Sequence, residues 1–508
     1  MTKVAVATTS QLAADAAAQV AAGGGNAVDC GLAAALLAMN TEPGVCALAG
    51  SAYITVWAPG RDPVTIDGNT AIPGIGLDVA DRGHGASSVT MDYGGGITTL
   101  VGAGSVAVPG SLAAVERAWQ KFGRAKWRDL FAPTITATQN GFPLSAACHY
   151  YLGYSGESIF SRSDDGFFAL HGDDHALRER GSLIVVPHLA DSLNTIAAEG
   201  ARVFYEGELA AAIATHVGES GGALTAADLA QYRAIERPSL TVDVGHWTIA
   251  SNPPPAIGGS TLAAMLLACS DMPHREWHSE SLARLIDVQR AVLDYRKQRL
   301  DLADDVEVTV AKLLESVRSG QLLTQWTSSS TVHTSAVDED GLACAVTASS
   351  GYGSGEIAGG TGIWLNNCLG EIELNRHGLE AGPPGARLPS NMAPSVARSG
   401  DTILALGSPG ADRITTAMHQ FLVNHLQFSM PLEIAIAHPR VHVDTSGDHE
   451  RLMAEPGLDL PAVDIPVHIM SKISMYFGGV AAARFDNNAG FDVAADPRRA
   501  GGTVIFDG

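Results

Sequence analysis

The sequence predicts a mixed α/β protein, and three observations carry that prediction. Over roughly the first 330 residues, short apolar runs with strand character alternate with segments of helical periodicity. From about Thr331 the texture changes to strands joined by glycine-rich turns. Alanine and glycine are abundant throughout. With 46% hydrophobic and 17% charged residues the chain can bury a large core and lay helices closely on sheets.

Val4–Ala7 is short and apolar and reads as a strand, and Gln11–Ala22 follows with helical spacing. Gly23-Gly24-Gly25 breaks that helix, and Asn26 is placed to cap the next, Ala27–Met39. Ala52–Trp57 and Val64–Asp67 read as strands around a Pro59-Gly60 turn. Pro109-Gly110-Ser111 is expected to start a helix through Phe122, further helices are expected near Trp127–Asn140, Leu189–Glu199 and Gly207–Val217, and Thr225 with Asp228 forms a capping-box pattern. The Pro-rich turn Asn252–Gly259 leads to a helix at Ser260–Ala268. Asp301 to Ser330 is polar, and Thr324–Ser330 reads as an exposed linker. Beyond it, Val332–Val337 and Ala343–Thr347 flank Asp338-Glu339-Asp340-Gly341, a hairpin signal. A strand at Thr402–Leu406 and a helix from Arg413 to His425 follow.

The net charge of −22 offers no basic stripe to neutralise phosphates, so nucleic acid is not an expected partner, and an anionic membrane surface is disfavoured for the same reason. The segment Met1–Ala7 lacks the apolar run of a secretory signal, and the most apolar stretch, Gly31–Met39, is too short to span a bilayer. The expectation is a cytoplasmic protein whose cysteines, Cys30, Cys46, Cys148, Cys269, Cys344 and Cys368, are reduced core residues without CxxC spacing.

No cofactor is expected. Gly351–Gly362 lacks the Lys-Ser/Thr of a phosphate-binding loop and the spacing of a dinucleotide fold, and there is no GxSxG elbow. His438 and His442, with Asp444 and His449 nearby, have a spacing that suits a metal on a helix, but Pro439 between them disfavours that helix.

Two elements can carry acyl chemistry. Thr331 follows a run of hydroxyl residues and opens a strand. A Thr hydroxyl is a weak nucleophile until a base sits beside it, and the residue's own α-amine serves once the preceding peptide bond is cut. Such an amine has a pKa near 7.7–8.0, suited to a general base. On the residues alone, a Thr at a strand start is usually plain β-branched packing. The second element is Gly407-Ser408-Pro409-Gly410-Ala411, between a strand and a helix, where successive N–H groups make an oxyanion hole or an ordinary turn.

Several separated blocks, in order and across nearly the whole chain, resemble the γ-glutamyltransferase family. They include Gly24-Gly25-Asn26-Ala27-Val28-Asp29 with Glu42-Pro43, Val108-Pro109-Gly110-Ser111, and Pro253-Pro254-Pro255 with Gly258-Gly259. Thr331-Val332-His333-Thr334-Ser335 resembles the processing site, normally Thr-Thr-His, and Tyr352-Gly353-Ser354-Gly355, Leu365-Asn366-Asn367, Gly407-Ser408-Pro409-Gly410, Pro439-Arg440 with His442, and Asp496-Pro497-Arg498-Arg499 follow. The resemblance implies a four-layer αββα sandwich of the N-terminal-nucleophile type. It implies a precursor cut between Ser330 and Thr331 into a large subunit (1–330) and a small one (331–508), together one folded unit. Thr331 then attacks the acyl carbon of a small-molecule donor, Gly410 and Ala411 hold the oxyanion, Ser349 supports the nucleophile, and water or an amine resolves the acyl-enzyme. Homo-oligomerisation is left open.

The substrate-binding positions depart from the family pattern. Asn69 stands where the family has the Arg that grips the substrate carboxylate, and Asn offers neither the charge nor the bidentate fork. Cys368 replaces a Gln or Glu, Glu371 stands for the Asp that binds the substrate amine, and the paired serines read Ser390-Asn391. Arg387 or Arg413 is available in the sequence to replace the lost cation. The chemistry is expected to be kept on a substrate other than the usual γ-glutamyl donor. An acylase or a C–C bond hydrolase of natural-product biosynthesis, and a scaffold homologue that never processes, are the alternatives.

Overall fold

A computed structural model describes residues 2–92, 96–272, 274–319, 331–375, 377–380, 382–445 and 450–508. Two antiparallel sheets lie face to face. The first contains β1 (Val4–Thr8), β2 (Ser51–Trp57), β3 (Val64–Gly68), β4 (Ile235–Pro238), β7 (Val332–Asp338), β8 (Ala343–Ser349) and β13 (Gly502–Phe506), in the order β13-β1-β7-β8-β2-β3-β4. The second contains β5 (Leu240–Val244), β6 (Trp247–Ser251), β9 (Ser395–Ser399), β10 (Thr402–Gly407), β11 (Ala481–Asp486) and β12 (Gly490–Ala495), in the order β12-β11-β10-β9-β6-β5.

The space between the sheets is filled by small side chains: Ala5, Ala250, Ala343, Ala345, Ala405 and Ala483 pack there with Val337, Val396 and Ile403. The abundance of alanine thus lets two twisted sheets approach closely. Outside the first sheet lie α1 (Gln11–Ala22), α2 (Ala27–Thr41), α3 (Ser111–Phe122) and α4 (Trp127–Asn140). Outside the second lie α5 (Gly258–Ala268), α6 (Ser279–Tyr295), α7 (Val306–Arg318) and α8 (Arg413–Leu422). The result is the expected four-layer αββα sandwich.

Local chemistry sets these elements as the sequence implied. Asn26 and Asp29 form a reciprocal capping box at the start of α2, every residue of which is buried, as befits a helix that is apolar all round. Asp338, at the tip of the β7–β8 hairpin, accepts the backbone N–H groups of Ala27, Asp340 and Leu342. One difference lies in the polar stretch before Thr331. Residues 306–318 form α7, capped by Asp305 and burying Val310, Leu313 and Leu314 at helical spacing, a face hidden by its polar neighbours. The linker residues Thr324–Ser330 lie outside the described residues. Among the described residues, no helix is long and apolar enough to cross a membrane.

Candidate active site

Thr331 immediately precedes β7 and is 3% exposed. The β7–β8 register, Val332 opposite Ala348, brings Thr331 across from Ser349, which in turn pairs with Ser51 on β2. Alternation along β7 sends Val332 and Ala336 into the helix-side core and Val337 between the sheets. The side chains of Thr331, His333 and Ser335 therefore share the inter-sheet face. Ser51 Oγ donates to the Ser349 carbonyl (3.0 Å), and Ser349 Oγ accepts the Gly351 N–H (3.1 Å).

One partly enclosed pocket gathers most of the residues expected from sequence. Thr331, Ser349, Asn69 and Cys368 line it together with Glu371, Ser390 and Asn391. Gly410 and Ala411 do not. They form the turn after β10, at φ of 123° and 70°, and connect to the pocket through the next residue, Asp412, whose carboxylate holds the Asn391 amide at 2.7 Å. A side chain at Gly410 would strike the Gly478 backbone, which explains the glycine. Among the described residues, neither the Gly410 nor the Ala411 N–H has a protein acceptor.

Each wall residue has a defined setting. Asn69 Nδ2 donates to the Leu388 carbonyl (2.6 Å) and its backbone carbonyl accepts from the Tyr232 hydroxyl (2.5 Å), so the residue is held in place as a neutral part of the wall. Burial pushes the Cys368 thiol well above its ordinary range; Thr70 and Glu371 are its hydrogen-bonding neighbours, and it stays protonated rather than nucleophilic. Glu371 is 4% exposed and is the one acidic side chain among the described residues of the pocket wall. Glu373, two residues on, is pushed up to about 8 by burial and by the charge of Glu371, and takes the Tyr352 hydroxyl at 2.6 Å. Neither proposed substitute for the missing cation lines the pocket. Arg387 faces Asp67 at 3.5 Å and stacks on Tyr232, while Arg413 donates to the Tyr476 carbonyl at 3.0 Å.

Three supporting features were not foreseen. Below Thr331, the His333 ring is held neutral by burial, its pKa lowered to about 3. Ser335 Oγ donates to the Ala481 carbonyl (3.0 Å), so it accepts from His333 Nε2–H (2.8 Å), and Nδ1 accepts from the Thr347 hydroxyl (2.7 Å). Gly407 on β10 packs directly on that ring. Behind Asn391, Arg296 bridges Asp301 (3.0 Å) and Asp412 (2.7 Å) in a fully buried cluster. The Asn366-Asn367 pair is structural: Asn366 ties Ala49, Ala107 and Cys368 backbones together, and Asn367 accepts the Tyr352 N–H at 2.7 Å. His438 ends the short helix Leu432–Ala437, whereas His442 lies on strand Val441–Asp444 bonded to Thr416, so the two never share a helical face.

A Thr that opens a strand opposite Ser349 and lines a pocket has the chemistry of a nucleophile once the preceding peptide bond is cut. Residues 13–506 match the gamma-glutamyltranspeptidase family. The chain belongs to that family. Among its relatives is the glutathione hydrolase proenzyme of Pseudomonas aeruginosa, 29% identical over 99% of this chain and 94% of the relative. The acylase ACY 1 proenzyme of a Pseudomonas species is 26% identical over 99% and 93%. The crystal structure of cephalosporin acylase from Bacillus halodurans superposes with a TM-score of 0.79 at 22% identity, covering 99% of this chain and 96% of that one. Family members of this kind are hydrolases and acylases made as proenzymes, and this chain is an enzyme of the same N-terminal-nucleophile class.

Proposed function

We propose that this protein cuts itself before Thr331 and then hydrolyses, or transfers, an acyl group whose head carries an amine but no carboxylate. The observation that supports this reading is the charge of the pocket wall: Glu371 is present, Asn69 is neutral, and no Arg or Lys is among the described lining residues. A γ-glutamyl head would bring a carboxylate into this wall with no cation among the described lining residues to meet it. Leaving such a charge buried and unpaired costs about 3–5 kcal/mol, on the order of a hundredfold or more in binding. An amine on the same carbon meets Glu371.

In the proposed cycle the freed Thr331 amine takes the hydroxyl proton as Oγ1 attacks the acyl carbon. The oxyanion that forms is held by the N–H groups of Gly410 and Ala411, with Ser349 donating toward the nucleophile. The amine returns the proton to the leaving nitrogen as the C–N bond breaks, giving a threonyl ester and a free amine. Water, giving a proton to the Thr331 amine, then attacks the ester, and the amine passes that proton to Oγ1 as the ester bond breaks and the acid leaves; an acceptor amine in place of water gives a new amide. The donor is a small molecule, no cofactor enters any step, and residues 1–330 and 331–508 remain one folded body.

Intact mass under denaturing conditions tests the first half: two fragments, the smaller beginning at Thr331, in the wild type and a single chain in Thr331→Ala. A single uncut chain in both proteins favours a scaffold role. The second half is tested with a pair of p-nitroanilides, γ-glutamyl and 4-aminobutyryl, which differ by the carboxylate alone. The expected kcat/KM favours the 4-aminobutyryl compound; a preference for the γ-glutamyl one sinks the substrate reading.

A further inference from the structure

A second cavity, of about 890 Å³ with its mouth included, opens beside the Gly410–Ala411 turn. Its size suits a small organic molecule. Arg413, in the first turn of α8, enters it directly from that turn. Tyr476 and Met475 line it from the segment that carries Gly478, and Gly478 packs on Ser408 and Pro409 of the same turn, with the Gly479 N–H donated to Ser408 Oγ at 3.0 Å. On the opposite wall, Tyr150 and Tyr154 project from the helix Ala146–Ser155, whose Tyr151 donates to the Tyr352 carbonyl at 2.9 Å, in the loop that follows Ser349. The cavity is thus framed by the elements that frame the reaction centre.

Its chemistry is specific. The two tyrosines, 46% and 37% exposed, meet edge to face at 5.3 Å in the cavity wall. Arg413 lies over the Tyr476 ring at 4.7 Å. Met453, Met470 and Met475 supply sulfur and flexible methylenes. Rings, thioethers and a stacked guanidinium each gain from a flat π-system in ways that an aliphatic chain does not match. Charge does not dominate: Arg451 is neutralised by Asp444 at 2.6 Å, and Asp92 stands at the rim.

We propose that this cavity binds a planar aromatic group, carried on the leaving-group side of the scissile bond. Its role in turnover rests on the hydrolase reading above; its binding of an aromatic ring does not. The probes are 2-naphthol and its saturated counterpart decahydro-2-naphthol, titrated calorimetrically into uncut Thr331→Ala protein and into wild type. The expected result is at least tenfold tighter binding of 2-naphthol to both. Tyr150→Ala/Tyr154→Ala should lose about tenfold, and Tyr150→Phe/Tyr154→Phe, which keeps the rings, should retain it. Equal affinity for the two alcohols, or an unchanged affinity in the alanine pair, overturns the proposal even if the enzyme processes and turns over. Aromatic preference in a protein that never cuts itself leaves the cavity standing and removes the hydrolase. In turnover, 4-aminobutyryl amides of 2-naphthylmethylamine and cyclohexylmethylamine place the group: a preference for the aromatic amide that the alanine pair abolishes supports the leaving-group side, and one that the pair leaves intact overturns it.

Discussion

His419, in α8, has no exposed surface, and neither ring nitrogen has a hydrogen-bond partner among the described residues. Burial holds its pKa down at about 3, against an ordinary value of 6.5. Because the folded value lies below the unfolded one, the unfolded chain takes up a proton as pH falls through 6.5 while the native ring stays neutral. The stability contributed by the neutral ring is whole above pH 6.5 and is lost as pH falls from there to about 3. At pH 5, one and a half units into that window, the loss is about 2 kcal/mol, at about 1.4 kcal/mol per unit. His419→Leu removes the titration and replaces two desolvated nitrogens with carbon at similar volume, a swap costing less than about 1.5 kcal/mol in packing. The stability difference between variant and parent should therefore move in the variant's favour by about 2 kcal/mol between pH 7.5 and pH 5. Urea unfolding followed by tryptophan fluorescence, with both proteins in the Thr331→Ala background, measures it. A difference that stays constant with pH would refute the reasoning, since it would mean that the ring takes up its proton in the native state.

Three further outcomes are expected. Arg296→Met leaves Asp301 and Asp412 buried without their shared cation and should cost about 3–5 kcal/mol; because Asp412 also anchors Asn391, kcat should fall with the urea midpoint. Thr347→Val keeps the shape but strips His333 Nδ1 of its donor, costing about 1–3 kcal/mol by urea unfolding, and Thr347→Ser should recover most of it. Ala411→Gly should leave turnover within about twofold, because the N–H stays, and stability within about 1 kcal/mol, because relief of the left-handed backbone at φ 70° is offset by added freedom in the unfolded chain; a tenfold loss of turnover would contradict this.

Much of the fold was legible because its signals are local. The capping box at Asn26, the hairpin at Asp338–Gly341 and the periodicity of α1 to α4 are written in neighbouring residues. The helix α7 escaped because Glu307, Lys312 and Glu315 interrupt an apolar face that only spacing reveals. At the site, the gathering of Thr331, Ser349, Asn69, Glu371 and Asn391 was legible through the family motifs, since no local pattern joins residues so far apart. What stayed hidden is what depends on direction. Arg387 and Arg413 are cations in the sequence, but their stems lead to Asp67 and to Tyr476 rather than into the pocket. Asp301 reads as the start of a polar stretch until the fold joins it through Arg296 to Asp412, which holds Asn391.

The order of strands carries a consequence for a cut before Thr331. In the first sheet, β13, β7 and β8 come from beyond that point and β1, β2, β3 and β4 from before it, so the two pieces alternate across three hydrogen-bonded borders. In the second sheet β9 and β6 form a fourth. The pieces are interlocked like the fingers of two hands: severing the peptide frees an amine but releases nothing, and neither piece can leave without tearing ladders out of both sheets. Made separately, each would carry open strand edges ready to pair with any other chain. For a cut before Thr331, the topology therefore sets the order: the fold closes first and the bond breaks second.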